Sequence, residues 1–125
     1  MKKTERSPEA MLPLTTAVFH ILLALADGER HGYGIMQEIA ARTDGTMRMG
    51  PGTLYGSIKR MLANGLIEAS EERPDPELDD ERRRYYRLTN FGHRVVQVEA
   101  RRLEQIVRLA HAKKILPGAE AIGGA

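Results

Sequence analysis

The sequence predicts a mainly α-helical domain of the α+β class, carrying a small β-hairpin and followed by one long helix. Three observations predict it. Between residues 14 and 64, three stretches place apolar residues at helical spacing, and each is closed by an Asp-Gly or Asn-Gly pair. Two short runs, LIEAS and RRRYYRLT, flank a polar loop with two prolines, as the strands of a hairpin do. From Asn90 onward, Gly92 aside, no helix breaker occurs before Pro117. A chain of 125 residues, 42% of them hydrophobic, supports one such domain with a real but small core.

Taken in order, residues 1–12 are polar and read as a loose arm. A first helix starts near Leu14, with Thr15 or Thr16 as its cap, and ends at Asp27-Gly28. Its sequence, TTAVFHILLALADG, is apolar on nearly every side, which predicts a central core helix. A second helix covers residues 32–43, with Ile35, Met36, Ile39 and Ala40 on one apolar face. After the Asp44-Gly45 turn, TMRMG is a short extended piece that contains Arg48. The third helix follows Gly50, with Pro51 in its first turn, where a missing N–H costs nothing. Leu54, Ile58, Met61 and Leu62 form its apolar stripe, and Asn64-Gly65 stops it. The opposite face carries Thr53, Gly56, Ser57, Arg60 and Ala63, with Lys59 at its edge. In the second strand, alternation places Tyr86 and Leu88 on one face and Tyr85 and Arg87 on the other.

The final helix, from a cap at Thr89 or Asn90 to about Leu116, has a seam. Val96, Ala100, Leu103, Val107 and Ala110 are spaced 4, 3, 4 and 3, while Arg101, Arg102, Glu104 and Arg108 lie off it. At about 1.5 Å per residue the helix is about 40 Å long, more than so small a core needs. This pattern predicts pairing with another helix; the alternative is packing back on its own domain. Residues 117–125 read as a disordered tail.

Composition removes several function classes. There is no cysteine, hence no disulfide framework, thiolate metal site or cysteine nucleophile, which fits a cytoplasmic location. The most apolar stretch, residues 17–26, is too short to span a bilayer, and no signal peptide is expected. The net charge of +2 conceals two opposed blocks. Residues 68–81 hold eight acids and one base, and residues 82–114 hold ten bases and two acids. A basic block is the usual mark of a polyanionic partner, although part of it can be solvated helix surface.

The stretch GPGTLYGSIKRMLANGLI invites two readings. A phosphate-binding loop needs G-x-x-x-x-G-K-[ST], but here Ser57 follows Gly56 and the lysine comes two places later. The dinucleotide pattern G-x-G-x-x-G fails at Tyr55, and no alternating strand–helix order supplies a parallel sheet. A recognition helix fits better. Two short helices joined by a turn, the second polar on its outward face, make a helix-turn-helix, and the following hairpin makes it winged. Thr53 and Ser57 can bond phosphates or bases, Lys59 and Arg60 supply cations, and Gly52 and Gly56 permit close backbone approach. His20, His31, His93 and His111 lack metal-ligand spacing, and His20 reads as a hydrogen-bonded core residue. Asp75, Asp79 and Asp80 read as a solvated loop rather than a calcium site. No catalytic triad or carboxylate pair can be assembled, so no enzyme and no cofactor are expected.

Three strings, ILLALADGERHGYGIMQEI, GPGTLYGSIKRMLANGLIE and RRRYYRLTNFG, resemble the PadR family of bacterial transcriptional regulators. The resemblance spans about residues 14–94 and rests on H-G-Y, then G-T-L-Y with K-R-x-x-x-x-G-L-I, then Y-Y-x-L-T-x-x-G. It implies a winged helix-turn-helix with its recognition helix at residues 52–64 and its wing at 66–88. It also implies a homodimer through the long C-terminal helix, binding to two-fold-related half-sites on double-stranded DNA, and control by a small-molecule effector in some members. The short C-terminus resembles the compact branch with a single dimerisation helix. Two positions depart from the family pattern: Gly56 stands where members commonly carry proline, and the wing tip is strongly acidic. The absence of tryptophan removes the mode in which flat ligands are sandwiched between tryptophans in a dimer pore.

The expected DNA-binding set is therefore Tyr33, Arg48, Thr53, Tyr55, Gly56, Ser57, Lys59, Arg60, Arg82, Arg83 and Arg84. Tyr33 and Tyr55 are expected to be half core, with hydroxyls free to reach phosphate. For the three wing arginines two readings stand side by side: a grip on phosphate, or ion pairs with Asp79, Asp80 and Glu81. The functional expectation is a DNA-binding repressor acting as a homodimer on a palindromic operator. Its alternative is a winged-helix module that binds protein instead.

Overall fold

The computed structural model describes residues 6–70 and 84–117, and among these side-chain caps open three of the four α-helices. Thr15 accepts from the Val18 amide at 3.1 Å and starts α1 (Thr16–Ala24). His31 caps α2 (Gly32–Arg42), its Nδ1 accepting from the Gly34 amide at 2.9 Å. Thr89 caps α4 (Asn90–Ala112) by accepting from the Gly92 amide at 2.9 Å. The remaining helix, α3 (Pro51–Ala63), begins on Gly50 and Pro51 without a side-chain cap.

Three antiparallel strands, β1 (Arg30–His31), β2 (Ile67–Ala69) and β3 (Tyr85–Leu88), lie in the order β1-β3-β2. Ile67 pairs with Leu88 and Ala69 with Tyr86, so β2 and β3 form the wing; His31 pairs with Tyr85 on the other side. The two-residue strand β1 is absent from the sequence expectation, because two residues carry no readable alternation. It does local work. Arg30 Nε donates to the Ala24 carbonyl at 2.7 Å and satisfies the C-terminal end of α1, which is shorter than the expected helix. At the far end, Lys114 at φ 65° turns the chain left-handed, and α4 stops at Ala112 rather than near residue 116.

The core gathers Ile21 and Leu22 of α1, Ile35 and Ile39 of α2, and Leu54, Ile58 and Met61 of α3. Tyr86 of the wing and Val95 and Val96 of α4 close it. α1 is not wrapped on all sides. Leu23 is 43% exposed, and His20, expected in the core, lines an open cleft of about 480 Å³ between α1 and α2. Among the described residues no helix is long and apolar enough to cross a membrane.

Residues 6–12 also differ from the expected loose arm, whose first five residues lie outside the described residues. Pro8–Met11 forms a short 3-10 helix, Met11 and Leu12 pack against the core, and Arg6 lies 4.2 Å from the centre of the Phe91 ring. A buried carboxylate anchors this segment. Glu99, 2% exposed on α4, accepts from the Leu14 amide at 3.1 Å and from Arg102 at 2.6 and 3.0 Å. Arg102 holds the Glu99 carboxyl below its ordinary range, and the Leu14 amide adds to this; burial opposes both. The acidic wing tip, Arg82, Arg83 and the tail beyond Pro117 lie outside the described residues.

Two measurements test this packing. A Cβ on Gly92 would run into the Leu66 carbonyl, so Gly92→Ala should cost about 2–3 kcal/mol in urea denaturation. Thr89→Ala, which removes the cap and the hydroxyl's bond to the Gly65 carbonyl, should cost about 2 kcal/mol by the same measurement. Because the folded Glu99 carboxyl is lowered, its stabilisation is complete above the ordinary glutamate range and is lost as pH falls through the folded value. Glu99→Gln should therefore lower stability at neutral pH by about 1–3 kcal/mol and flatten the fall in melting temperature between about pH 6 and about pH 3.

Candidate nucleic-acid interface

The candidate interface is built on α3, whose two sides are separated by burial. Leu54, Ser57, Ile58 and Met61 face the core, while Pro51, Gly52, Thr53, Lys59, Arg60 and Ala63 are exposed. The approach is open at the start of the helix, since a Cβ on Gly50 or Gly52 would meet nothing within 4 Å. At the end, Gly65 at φ 74° reverses the chain into the wing, with its amide bonded to the Leu62 carbonyl.

The placement of the predicted residues is uneven. Thr53, Lys59 and Arg60 are exposed on the outward face, as expected, with half-buried Gly56 among them. Ser57 corrects the expectation: it is 1% exposed and faces the core. Helical spacing accounts for this, because Ser57 is three residues from Leu54 and four from Met61, in the row of the apolar stripe. Tyr55 corrects it too. The end of its ring packs onto Gly32, so its hydroxyl is directed at the start of α2 rather than outward. Tyr33 is 42% exposed at the first turn of α2. Arg48 is exposed in the link to α3, its guanidinium folded back over Gly45, which has φ 76°. Arg84 is exposed just before β3, whereas Arg82 and Arg83 lie outside the described residues.

Electrostatic pairing divides the cations of the surface into two groups. Arg30, Arg42, Arg87, Arg102 and Arg108 all have carboxylate partners: Asp27 and Glu38, Glu38, Glu68, Glu99 and Glu104 respectively. Among the described residues, Arg48, Lys59 and Arg60 have none, and neither do Arg6, Arg84, Arg94, Arg101, Lys113 and Lys114. Cations without an internal partner are available to an external anion. No group of three His, Asp or Glu able to hold a metal occurs among the described residues.

The expected dimer seam is divided. Val96 is 6% exposed and belongs to the chain's own core, so it is corrected out of the seam. Leu103 and Ala110 are half-buried, Ala100 is exposed, and Val107 is 45% exposed. Beyond the core the exposed apolar surface broadens to include Ile106 and Leu109. Strict heptad spacing misses this, since a straight helix drifts away from a 3.5-residue repeat.

Of the two caps expected for the final helix the structure uses Thr89; sequence reasoning overlooked the close packing at Gly92 and the Glu99–Arg102 pair. The signal for Glu99 was present: a carboxylate three and four residues after two consecutive valines lies on their buried side.

A helix-turn-helix of α2 and α3 followed by a β2–β3 wing defines the class, a winged helix-turn-helix. Residues 21–98 match the transcriptional regulator PadR-like family, and the chain belongs to it. It is 38% identical over 89 residues to the transcriptional regulator Rv3488 of Mycobacterium tuberculosis, covering 71% of this chain and 77% of that protein. Its fold resembles that of a transcriptional regulator from Clostridium thermocellum, with TM-score 0.64 and 26% identity, covering 76% of this chain and 89% of that one. It also resembles Bacillus subtilis PadR, solved in complex with operator DNA, with TM-score 0.58 and 21% identity, covering 68% and 46%.

Proposed function

We propose that this PadR-family regulator binds double-stranded DNA sequence-specifically through α3 and acts as a homodimeric repressor on a palindromic operator. The observation that carries the reading is the outward face of α3, the second helix of the helix-turn-helix, where Thr53, Lys59 and Arg60 are exposed and the two cations have no carboxylate partner among the described residues. The likeness in fold to Bacillus subtilis PadR, solved with operator DNA, supports the same assignment. Phosphate contacts from Arg48, Lys59 and Arg84 would supply affinity, and Thr53 and Arg60 would read base edges in the major groove. The exposed apolar end of α4 supports pairing with a second copy, which would set two half-sites about one helical turn apart.

Binding to a random duplex should be strong at about 50 mM salt and fall steeply by about 200 mM. No measurable binding at the lower salt would leave the chain as a protein-interaction module. Lys59→Ala combined with Arg60→Ala should lower DNA affinity, reduce the salt slope by about one per protomer through the lost Lys59 phosphate contact, and shift folding stability by only about 0.5 kcal/mol. The two ends of α4 should separate in sedimentation and denaturation. Val107→Asp should yield monomer at micromolar concentration with the fold retained. Val96→Ala should instead cost about 2 kcal/mol of folding stability.

A further inference from the structure

Ser57 and Glu99 are the two buried polar side chains among the described residues. Glu99 anchors the N-terminal segment, whereas the hydroxyl of Ser57 has a different task. It accepts from Arg60 Nη2 at 3.4 Å, one turn further along α3. The other terminal nitrogen, Nη1, lies 3.8 Å from where a Cβ on Gly56 would stand. The guanidinium is therefore laid back along the helix, across Gly56 and against Ser57. At 3.4 Å the tether is weak, enough to bias an orientation and not to lock it. Arg60 carries five N–H donors in a rigid fork, and Ser57 uses one of them. No carboxylate among the described residues competes for the others.

We infer that Ser57 is a positioning residue for DNA readout: from the buried side of α3 its hydroxyl orients the Arg60 guanidinium, and so sharpens the preference at the base pair that Arg60 reads. This rests on α3 being the recognition helix. The physical reason is entropic. A long, freely rotating arginine must be ordered on binding, and a tether already present lowers that cost for one geometry over others. A bidentate fork on guanine needs such an orientation, whereas a phosphate contact tolerates many. Gly56 contributes by leaving the path of the guanidinium clear. Merely filling space would make Ser57 replaceable by alanine without consequence, and this separates the two roles.

The test uses the full chain as wild type, Ser57→Ala, Arg60→Ala and the double variant. Preferred DNA is first selected from a random pool with the wild type, and affinity is then measured for every single-base change and for a random duplex. Ser57→Ala should weaken the preferred site about 3- to 10-fold. It should flatten the preference at the same base pair that Arg60→Ala flattens, and leave random-duplex affinity and salt slope unchanged. In the Arg60→Ala background it should add nothing. A wild-type profile in Ser57→Ala, a different flattened position, or equal losses on preferred and random DNA would each overturn the inference. A wild type that selects no preferred sequence would overturn the recognition-helix reading itself, before any variant is compared.

Discussion

The Leu66 carbonyl accepts from the Thr89 amide at 3.1 Å, with the Thr89 hydroxyl oxygen 3.2 Å away, and Gly92 passes so close that a side chain there has no room. The Thr89 hydroxyl also lies 2.6 Å from the Gly65 carbonyl, and its oxygen caps α4. Four elements therefore meet at one point: the end of α3, the first residue of the wing, the last turn of the wing and the start of α4. The geometry tolerates only a short hydroxyl at residue 89 and no Cβ at residue 92. Without it, α3 would still be an amphipathic helix, but its outward face would have no fixed relation to the wing or to α4.

That fixed relation matters because charge on this surface is unevenly spent. Arg30 and Arg42 on the α1–α2 side, and Arg102 and Arg108 of α4, are held by neighbouring carboxylates at 2.6–3.6 Å, whereas Arg94 and Arg101 of α4 are not. Exposed pairs of this kind contribute little to stability, but they lower the local field that an external anion would feel. The α3 face lacks such partners among the described residues, and its open N-terminal turn adds the positive end of a helix dipole. Unpaired cations occur elsewhere too, so the proposed interface owes its place to cations that stand on the outward flank of the second helix of the helix-turn-helix.

α4 combines two environments in one uninterrupted helix. Its first turns are core, with Val95, Val96 and Glu99 buried, and its last turns leave Ile106, Val107 and Leu109 in solvent. Glu99 marks the changeover. Burying a carboxylate is costly unless it is paired and hydrogen-bonded, and here Arg102 and the Leu14 amide supply both. The N-terminal segment is thereby held against α4 although its own sequence is polar. In the sequence Glu99 counts only as one of two acids in a basic block. One of its partners, the Leu14 amide, is 85 positions away, and no local pattern announces that bond.

The sequence by itself determined the order of elements, the apolar stripes of α2 and α3, the stops at Asp-Gly and Asn-Gly, and the wing that follows. These depend on periodicity and on backbone preferences that act within a few residues. It also carried the family, through motifs whose physical reasons emerge only in three dimensions: His31 as a cap, Gly32 beneath the Tyr55 ring, Thr89 and Gly92 around one carbonyl. Tertiary structure decided the rest. It turned Ser57 inward and Tyr55 sideways, placed Val96 in the core, paired two-residue β1 with β3 and docked the N-terminal segment. Each depends on a neighbour distant in sequence or on which flank of a helix a second element covers, and neither is encoded by spacing alone.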